Sequence, residues 1–225
     1  MSTLRIGIPV YPTFDLIDVA APWDVLSRIP EYWSGGSVEM LLIGETCDPV
    51  LGGQGLYLTP NHSFDDCEQL DVLLVPGTQQ LDAGILENER YRAFIQEQGK
   101  GAAWVTSVCT GSVVLAAAHL LDGYRATTHC LAIGALEKYP DVIVANGYPR
   151  YVLCGNRFTT GGVSSSLDGA LKLAEILTGD AQVSKCIQLE IQYNPQPPYN
   201  DGDPAVADFE TYDRVMDRKK PSHCA

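Results

Sequence analysis

The stretch Val105–Gly111 reads Val-Thr-Ser-Val-Cys-Thr-Gly and runs directly into Ser112–Leu121, an Ala-rich helical pattern. An apolar strand that breaks abruptly into a helix holds its corner residue clear of the sheet, facing the helix's unsatisfied amides. That is the geometry of a nucleophile elbow. Small neighbours are needed at such a corner, and Ser107 and Gly111 supply them. The corner residue is Cys109. A thiol there feels the positive end of the helix dipole, which favours the thiolate, the strongly nucleophilic form. The alternative is a structural cysteine at a helix start, acting as a small hydrophobe.

Outward from that corner, short apolar runs alternate with helical patterns. Leu4–Val10, Val38–Gly44, Asp71–Val75 and Ala103–Val108 read as strands buried on both faces. Leu16–Ser27 sets Leu16, Val19, Ala20, Trp23 and Leu26 at helical spacing, with Pro22 suited to a first turn or a kink, and Glu89–Gln98 is a charged amphipathic helix. Past the elbow, Val142–Ala145, Tyr151–Cys154 and Arg157–Thr160 read as strands. Ser164–Leu177 reads as a helix that Ser164 or Ser165 can cap and Gly179 can end, and Ala181–Gln192 as another. This alternation predicts an α/β fold: a mostly parallel sheet with helices on both faces and ligands at the carboxyl ends of the strands. Tyr193–Ala225 opens on a run rich in Pro and Gly and is expected to be an irregular surface tail on a single domain spanning residues 1–225.

Charge and cysteine usage narrow the function. A formal net charge of −13 argues against nucleic acid as a partner, because phosphates would be repelled and no Lys/Arg stripe reverses the balance. The N-terminus lacks a signal-peptide pattern and no apolar run reaches membrane-span length, so a cytoplasmic protein with no membrane partner is expected. Seven scattered cysteines, with no Cys-x-x-Cys pair, suit reduced thiols better than a disulfide framework or a zinc site, so no metal is expected. Cys47, Cys67, Cys154 and Cys186 read as small hydrophobes.

A cysteine nucleophile needs a base or charge partner. His129, in Thr-Thr-His-Cys, is a candidate for direct chemistry, but a lone histidine there is more often a packed core residue. The loop after the first strand places Asp18, between Ile17 and Val19, at the start of a helix on the same sheet edge as Cys109, while Asp15 suits the cap of that helix. An apolar setting raises a carboxyl pKa and lets it carry a proton; the alternative role for Asp18 is a helix-dipole charge, and the sequence leaves both open. The turn Val75-Pro-Gly-Thr78 and the amides after Cys109 suit oxyanion stabilisation, and Thr159-Thr-Gly-Gly162 makes a second Gly-rich turn. A phosphate site is disfavoured, since neither a Gly-x-Gly-x-x-Gly run nor a P-loop lysine is present.

Leu-Leu-Val-Pro-Gly (73–77), Ser-Val-Cys-Thr-Gly-Ser (107–112), the Ala-Thr-Thr-His run ending at His129, and Thr-Thr-Gly-Gly-Val-Ser-Ser-Ser-Leu-Asp (159–168) resemble the ThiJ/PfpI superfamily, over residues 5 to about 200. Within it the chain resembles the isonitrile hydratases (cyclohexyl-isocyanide hydratases), including Leu-Glu-Ile-Gln-Tyr-Asn-Pro-Gln-Pro-Pro-Tyr-Asn (189–200). The resemblance implies a flavodoxin-like fold, a homodimer, and hydration of a small-molecule isonitrile to an N-substituted formamide without a cofactor. It implies Cys109 as nucleophile, Asp18 as the acidic residue and Thr110 as a supporting residue. Gly77 and the Thr110 amide match the oxyanion donors, and Thr78, Gly161 and Gly162 join the expected binding set. Thr78, Thr160 and Ser166 stand where the family commonly has glycine, and Cys130 follows His129 where an aromatic is usual. Such changes bear on pocket shape.

Two other readings compete. A glyoxalase-like enzyme belongs to the same superfamily, although Thr110, where many members have histidine, removes an adjacent base and argues against peptide hydrolysis. A non-enzymatic sensor of small ligands or oxidants is the other, since AraC-type regulators carry similar runs. Only 32 residues follow Tyr193, too few and too Pro-rich for their DNA-binding helices.

Overall fold

The computed structural model describes residues 2–218. Seven strands form its main sheet: β1 (Ser2–Pro9), β2 (Gly36–Gly44), β3 (His62–Ser63), β4 (Val72–Val75), β5 (Trp104–Ser107), β6 (Tyr151–Cys154) and β7 (Arg157–Thr160). Their order across the sheet is β6-β7-β5-β4-β1-β2-β3, and every pairing is parallel except β6 with β7. The principal helices are α1 (Leu16–Leu26), α2 (Glu89–Gly101), α3 (Gly111–Ala117), α4 (Ser165–Thr178), α5 (Ala181–Glu190) and α6 (Phe209–Arg218).

Strands buried on both faces explain the unbroken apolar runs. In β4 all four residues, Val72 to Val75, are buried. Leu73 and Val75 join Val105 in a core with Tyr91, Phe94 and Ile95 of α2 and Val113–Ala116 of α3. On the opposite face, Leu74, Thr106 and Phe158 meet Pro22 of α1 and Ala170 and Leu173 of α4 around a void of only about 10 Å³. Helices thus cover both faces, as the alternation predicts. Pro22 lies within α1 rather than at its first position, and Asp15 caps that helix by accepting from the Ile17 amide.

Several boundaries differ from expectation. The helix after the elbow ends at Ala117, not Leu121, and His119 turns the chain with φ +58°. Ser164 occupies the N-cap of α4 without capping it; its hydroxyl accepts from Arg150 Nη1 instead. Gly179 ends α4 as predicted, at φ +69°, where the absence of a Cβ removes the steric cost. Residues Val142–Ala145 contribute only the two-residue strand Ile143–Val144, which pairs outside the main sheet with Arg125–Ala126. A hairpin, Val50–Leu51 with Tyr57–Leu58, and strand β3 are too short to leave a periodic signature.

Residues up to Gln192 make one compact unit, and those from Tyr193 a second, smaller one. The stretch expected to be wholly irregular carries the ten-residue helix α6. Its sequence, Phe-Glu-Thr-Tyr-Asp-Arg-Val-Met-Asp-Arg, has helical spacing of Phe209, Tyr212, Val215 and Met216, which the preceding Pro-rich run obscures. His223 and Cys224 lie outside the described residues.

The elbow depends on close packing. A Cβ at Gly111 would collide with the Val75 carbonyl of β4 and stand 2.8 Å from that of Pro76. Gly111→Ala is therefore expected to destabilise the fold by several kcal/mol, read as a large fall in Tm. Gly134→Ala, where nothing lies within 4 Å, should stay within about 0.5 kcal/mol of the parent. Equal melting of the two variants would refute this packing argument.

Candidate active site

Four neighbouring strands bring four segments to the middle of the sheet's carboxyl edge. Asp18 follows β1, Gly77 follows β4, Cys109 follows β5 and Gly161 follows β7. Cys109 takes φ +55°, the left-handed conformation that an L side chain adopts only at a cost of about 1–2 kcal/mol. Surrounding bonds hold it there: its amide donates to the Gly161 carbonyl at 2.9 Å, and its carbonyl accepts from Thr128 Oγ1 at 3.1 Å and Ser112 Oγ at 3.2 Å.

Gly77 is the meeting point. Its amide donates to Asp18 Oδ2 at 3.0 Å, and its carbonyl accepts from the Asp15 amide at 2.8 Å. A Cβ on Gly77 would sit 2.7 Å from the Thr110 nitrogen and 2.8 Å from both Asp18 Oδ2 and Cys109 Cβ. Only glycine lets these three groups converge. Thr110 Oγ1 donates to the Thr78 carbonyl and accepts from the Thr78 amide, both at 2.7 Å, which locks the β4 turn to the elbow.

The other residues of the expected set contribute backbone and shape. The Gly161 amide donates to the Arg150 carbonyl, and its own carbonyl accepts from Cys109. At Gly162 a Cβ would press on the His129 ring, 2.9 Å from Cδ2. His129 Nδ1 accepts from the Leu131 amide at 3.1 Å, so one ring nitrogen is engaged in a structural turn. Tyr11 is a neighbour the sequence does not single out. Its hydroxyl donates to the Pro76 carbonyl at 2.8 Å, and its ring stands edge-on to Tyr91, whose hydroxyl donates to the Pro9 carbonyl.

Burial opposes the helix-dipole effect expected at Cys109. Asp18 is 0 % exposed and Cys109 is 4 % exposed. Burial, followed by the charge of Asp15, pushes the Asp18 carboxyl well above the usual carboxylate range, against the Gly77 amide and the Cys109 thiol, which pull it down. Burial, followed by the Asp18 carboxylate, likewise pushes the Cys109 thiol well up, although the Thr110 amide and hydroxyl favour its ionised form. Desolvation thus works against the dipole of the seven-residue helix at Cys109, and at both groups it favours the protonated form. Asp18 Oδ1 is buried and has no hydrogen-bond partner, which fits an oxygen that carries a proton for delivery.

A cleft of about 550 Å³ opens beside this corner, walled by Tyr11, Thr13, Val50, Tyr57, Gln80 and Ile85 among others. Its volume is in the range of small-molecule sites. Cys109 and Asp18 do not line it; Tyr11 and Thr13, which do, are bonded to the turn after β4, Tyr11 at the Pro76 carbonyl and Thr13 Oγ1 3.0 Å from Thr78 Oγ1. Among the described residues no group of three or more His, Cys, Asp or Glu is arranged to hold a metal, no two cysteines are disulfide-bonded, and no helix is long and apolar enough to cross a membrane.

The profile of the DJ-1/PfpI family matches residues 4–176. The chain belongs to the DJ-1/PfpI family. This member is 38 % identical to an isonitrile hydratase from Pseudomonas putida over 219 residues, covering 97 % of this chain and 91 % of that one. A ThiJ/PfpI family protein of known structure from Pseudomonas syringae superposes with a TM-score of 0.88 at 30 % identity, over 97 % of this chain and 86 % of the other. The HTH-type transcriptional regulator GbdR of Pseudomonas aeruginosa is 30 % identical over 173 residues, but this chain spans only 45 % of its length. The DJ-1/PfpI fold is thus a flavodoxin-like mostly parallel sheet, as expected, and the family includes both enzymes and regulators.

Proposed function

We propose that this DJ-1/PfpI protein is an isonitrile hydratase, a lyase that converts an isonitrile and water into an N-substituted formamide through a thioimidate on Cys109. The observation that carries the reading is the convergence of Cys109 and Asp18 on Gly77, with Asp18 Oδ1 left unpartnered in the interior. Near-full-length similarity to an isonitrile hydratase supports it.

An isonitrile's terminal carbon offers water little polarity, so it must be protonated as a better nucleophile adds. A neutral acid and a thiol, both held dry, meet that need. The Asp18 proton passes to the carbon as the Cys109 sulfur bonds to it, and the thiol proton returns to Asp18, leaving R–N=CH–S–Cys109. Water then adds to that carbon, one proton reaching nitrogen through Asp18. The C–S bond breaks as the hydroxyl proton moves to sulfur, releasing R–NH–CHO and the thiol. No proton is gained or lost over the cycle. Thr110, with Gly77 and Thr78, holds the sulfur and the acid in register, and the Thr110 amide faces the charge that develops. Gly161 and Gly162 shape the far side of the corner. In this reading the protein is a cytoplasmic homodimer with a small-molecule substrate, no nucleic-acid or membrane partner and no cofactor.

The test is formamide production from cyclohexyl isonitrile and an aromatic isonitrile, with methylglyoxal assayed in parallel. Turnover of at least one isonitrile, on the order of 1 s⁻¹ or faster, is expected. Consumption of methylglyoxal alone would instead favour a glyoxalase-like enzyme. No turnover of any of the three, alongside selective oxidation of Cys109, would favour a sensor.

A further inference from the structure

The acid role of Asp18 calls for a device that keeps its proton in place, and the first turn of α1 contains one. Asp15 and Asp18 stand three residues apart, on the same side of that turn, and both are buried, Asp15 at 4 % exposure. Their hydrogen bonding is opposite. Asp15 Oδ1 accepts from the Ile17 amide at 3.3 Å, and Oδ2 accepts from Gln54 Nε2 at 3.1 Å. Both of its oxygens face N–H donors, the arrangement of an ionised carboxylate. Asp18 receives a single N–H donor, the Gly77 amide on Oδ2, together with the weaker Cys109 thiol, and its Oδ1 has no partner.

We propose that Asp15 is a positioning residue: a buried negative charge, fixed by Gln54 and by the cap of α1, which obliges the neighbouring Asp18 to keep its proton on Oδ1. Two carboxyls in one dry space cannot both ionise cheaply, and the one with an N–H donor on each oxygen takes the charge. Gln54 comes from the tip of the hairpin between Val50 and Leu58 and completes the clamp by accepting from the Leu16 amide at 3.0 Å. The Gly77 peptide ties the two acids together, accepting from the amide of one and donating to the carboxyl of the other.

Few other charges face Asp18. Cys109 comes from the elbow and Tyr11 from the β1–α1 loop; burial, and then Tyr91 and Asp18, push that phenol well above its ordinary range, so it stays neutral. On α4, which packs against α1, Asp168 is paired with Arg150, and Lys172 with Glu175. The charge of Asp15 also contributes, after burial and Asp18, to holding Cys109 as a thiol.

The proposal rests on Asp18 acting as an acid, yet its test does not need substrate. The infrared band of the protonated Asp18 carboxyl, assigned by its absence in Asp18→Asn, is titrated in the resting full-length protein, in the parent and in Asp15→Asn. Asparagine keeps the cap and the shape but removes the charge. The Asp15→Asn band is expected to vanish at least about one pH unit lower than in the parent, a tenfold change in proton affinity. Asp15→Ser, a second neutral cap, should shift the same way and serves if Asp15→Asn does not fold. If isonitriles are turned over, the alkaline limb of the kcat/KM profile should move by the same amount. A parent without the band, or neutral variants with an unmoved midpoint, would overturn the proposal. A shifted band without isonitrile turnover would leave it standing while the hydratase reading fell.

Discussion

Cys109→Ala is expected to stop formamide production, with a loss on the order of 10⁴-fold or more in kcat/KM. The sulfur is the atom that bonds to substrate in the proposed cycle, and Cys109 is the cysteine held at the Gly77 corner, its Cβ 2.8 Å from where a Gly77 Cβ would stand. The loss should not come from unfolding. Alanine suffers the same left-handed backbone as cysteine at φ +55°, whereas Cys109→Gly relieves it, so the glycine variant is expected to match or exceed the parent's Tm while remaining inactive. A Cys109→Ala protein that retains a tenth of the parent rate, measured by formamide formation under saturating substrate, would show that the sulfur is not the nucleophile.

Asp18→Asn should cost about 10²–10⁴-fold in kcat/KM, the span of a positioned general acid, and at the same time make the protein more stable at neutral pH. The sign follows from burial. The folded-state pKa of Asp18 lies above its unfolded value, so the folded chain binds more protons there, and stability falls as pH rises from the unfolded carboxylate range towards the folded pKa. Asparagine removes that loss. The Tm of Asp18→Asn should exceed the parent's at pH 7–8, and the gap should close as pH approaches 4. Each kcal/mol gained corresponds to about 2–4 °C for a chain of this size. Identical pH–Tm curves for the two proteins would mean that Asp18 does not hold its proton on folding. Activity bought at the expense of stability is the usual bargain of a strained or desolvated site.

Much of this architecture was legible in the residues. Strands buried on both faces announce themselves as apolar runs, so β1, β4 and β5 lie within two residues of those runs and β6 and β7 match without error; β2 also lies within two residues, although it is buried on both faces only from Leu41 onward. The corner at Cys109 was legible because Ser107, Gly111 and the sudden helical pattern leave few other geometries. Asp18 was legible because a loop after a central strand must come to the same edge. Other features were not. A two-residue strand such as His62–Ser63 has no period, and the Gln54–Asp15 contact joins positions 39 apart that no local pattern links. The upward push on the Cys109 thiol was not legible for a related reason: position at a helix start is local, whereas the burial that opposes it is supplied by the β1–α1 loop, the β4 turn and the segment after β7 together.

That four parallel strand ends each supply one segment of the corner has a kinetic consequence. Parallel neighbours cannot be joined by a tight turn, so each of these pairings must wait for a long crossover to be threaded back, and non-local pairing of this kind is slow. Without those pairings the cysteine has neither the acid beside it nor the Gly161 carbonyl that fixes its backbone. The chemistry proposed for the corner is therefore a property of the paired sheet and of no single segment.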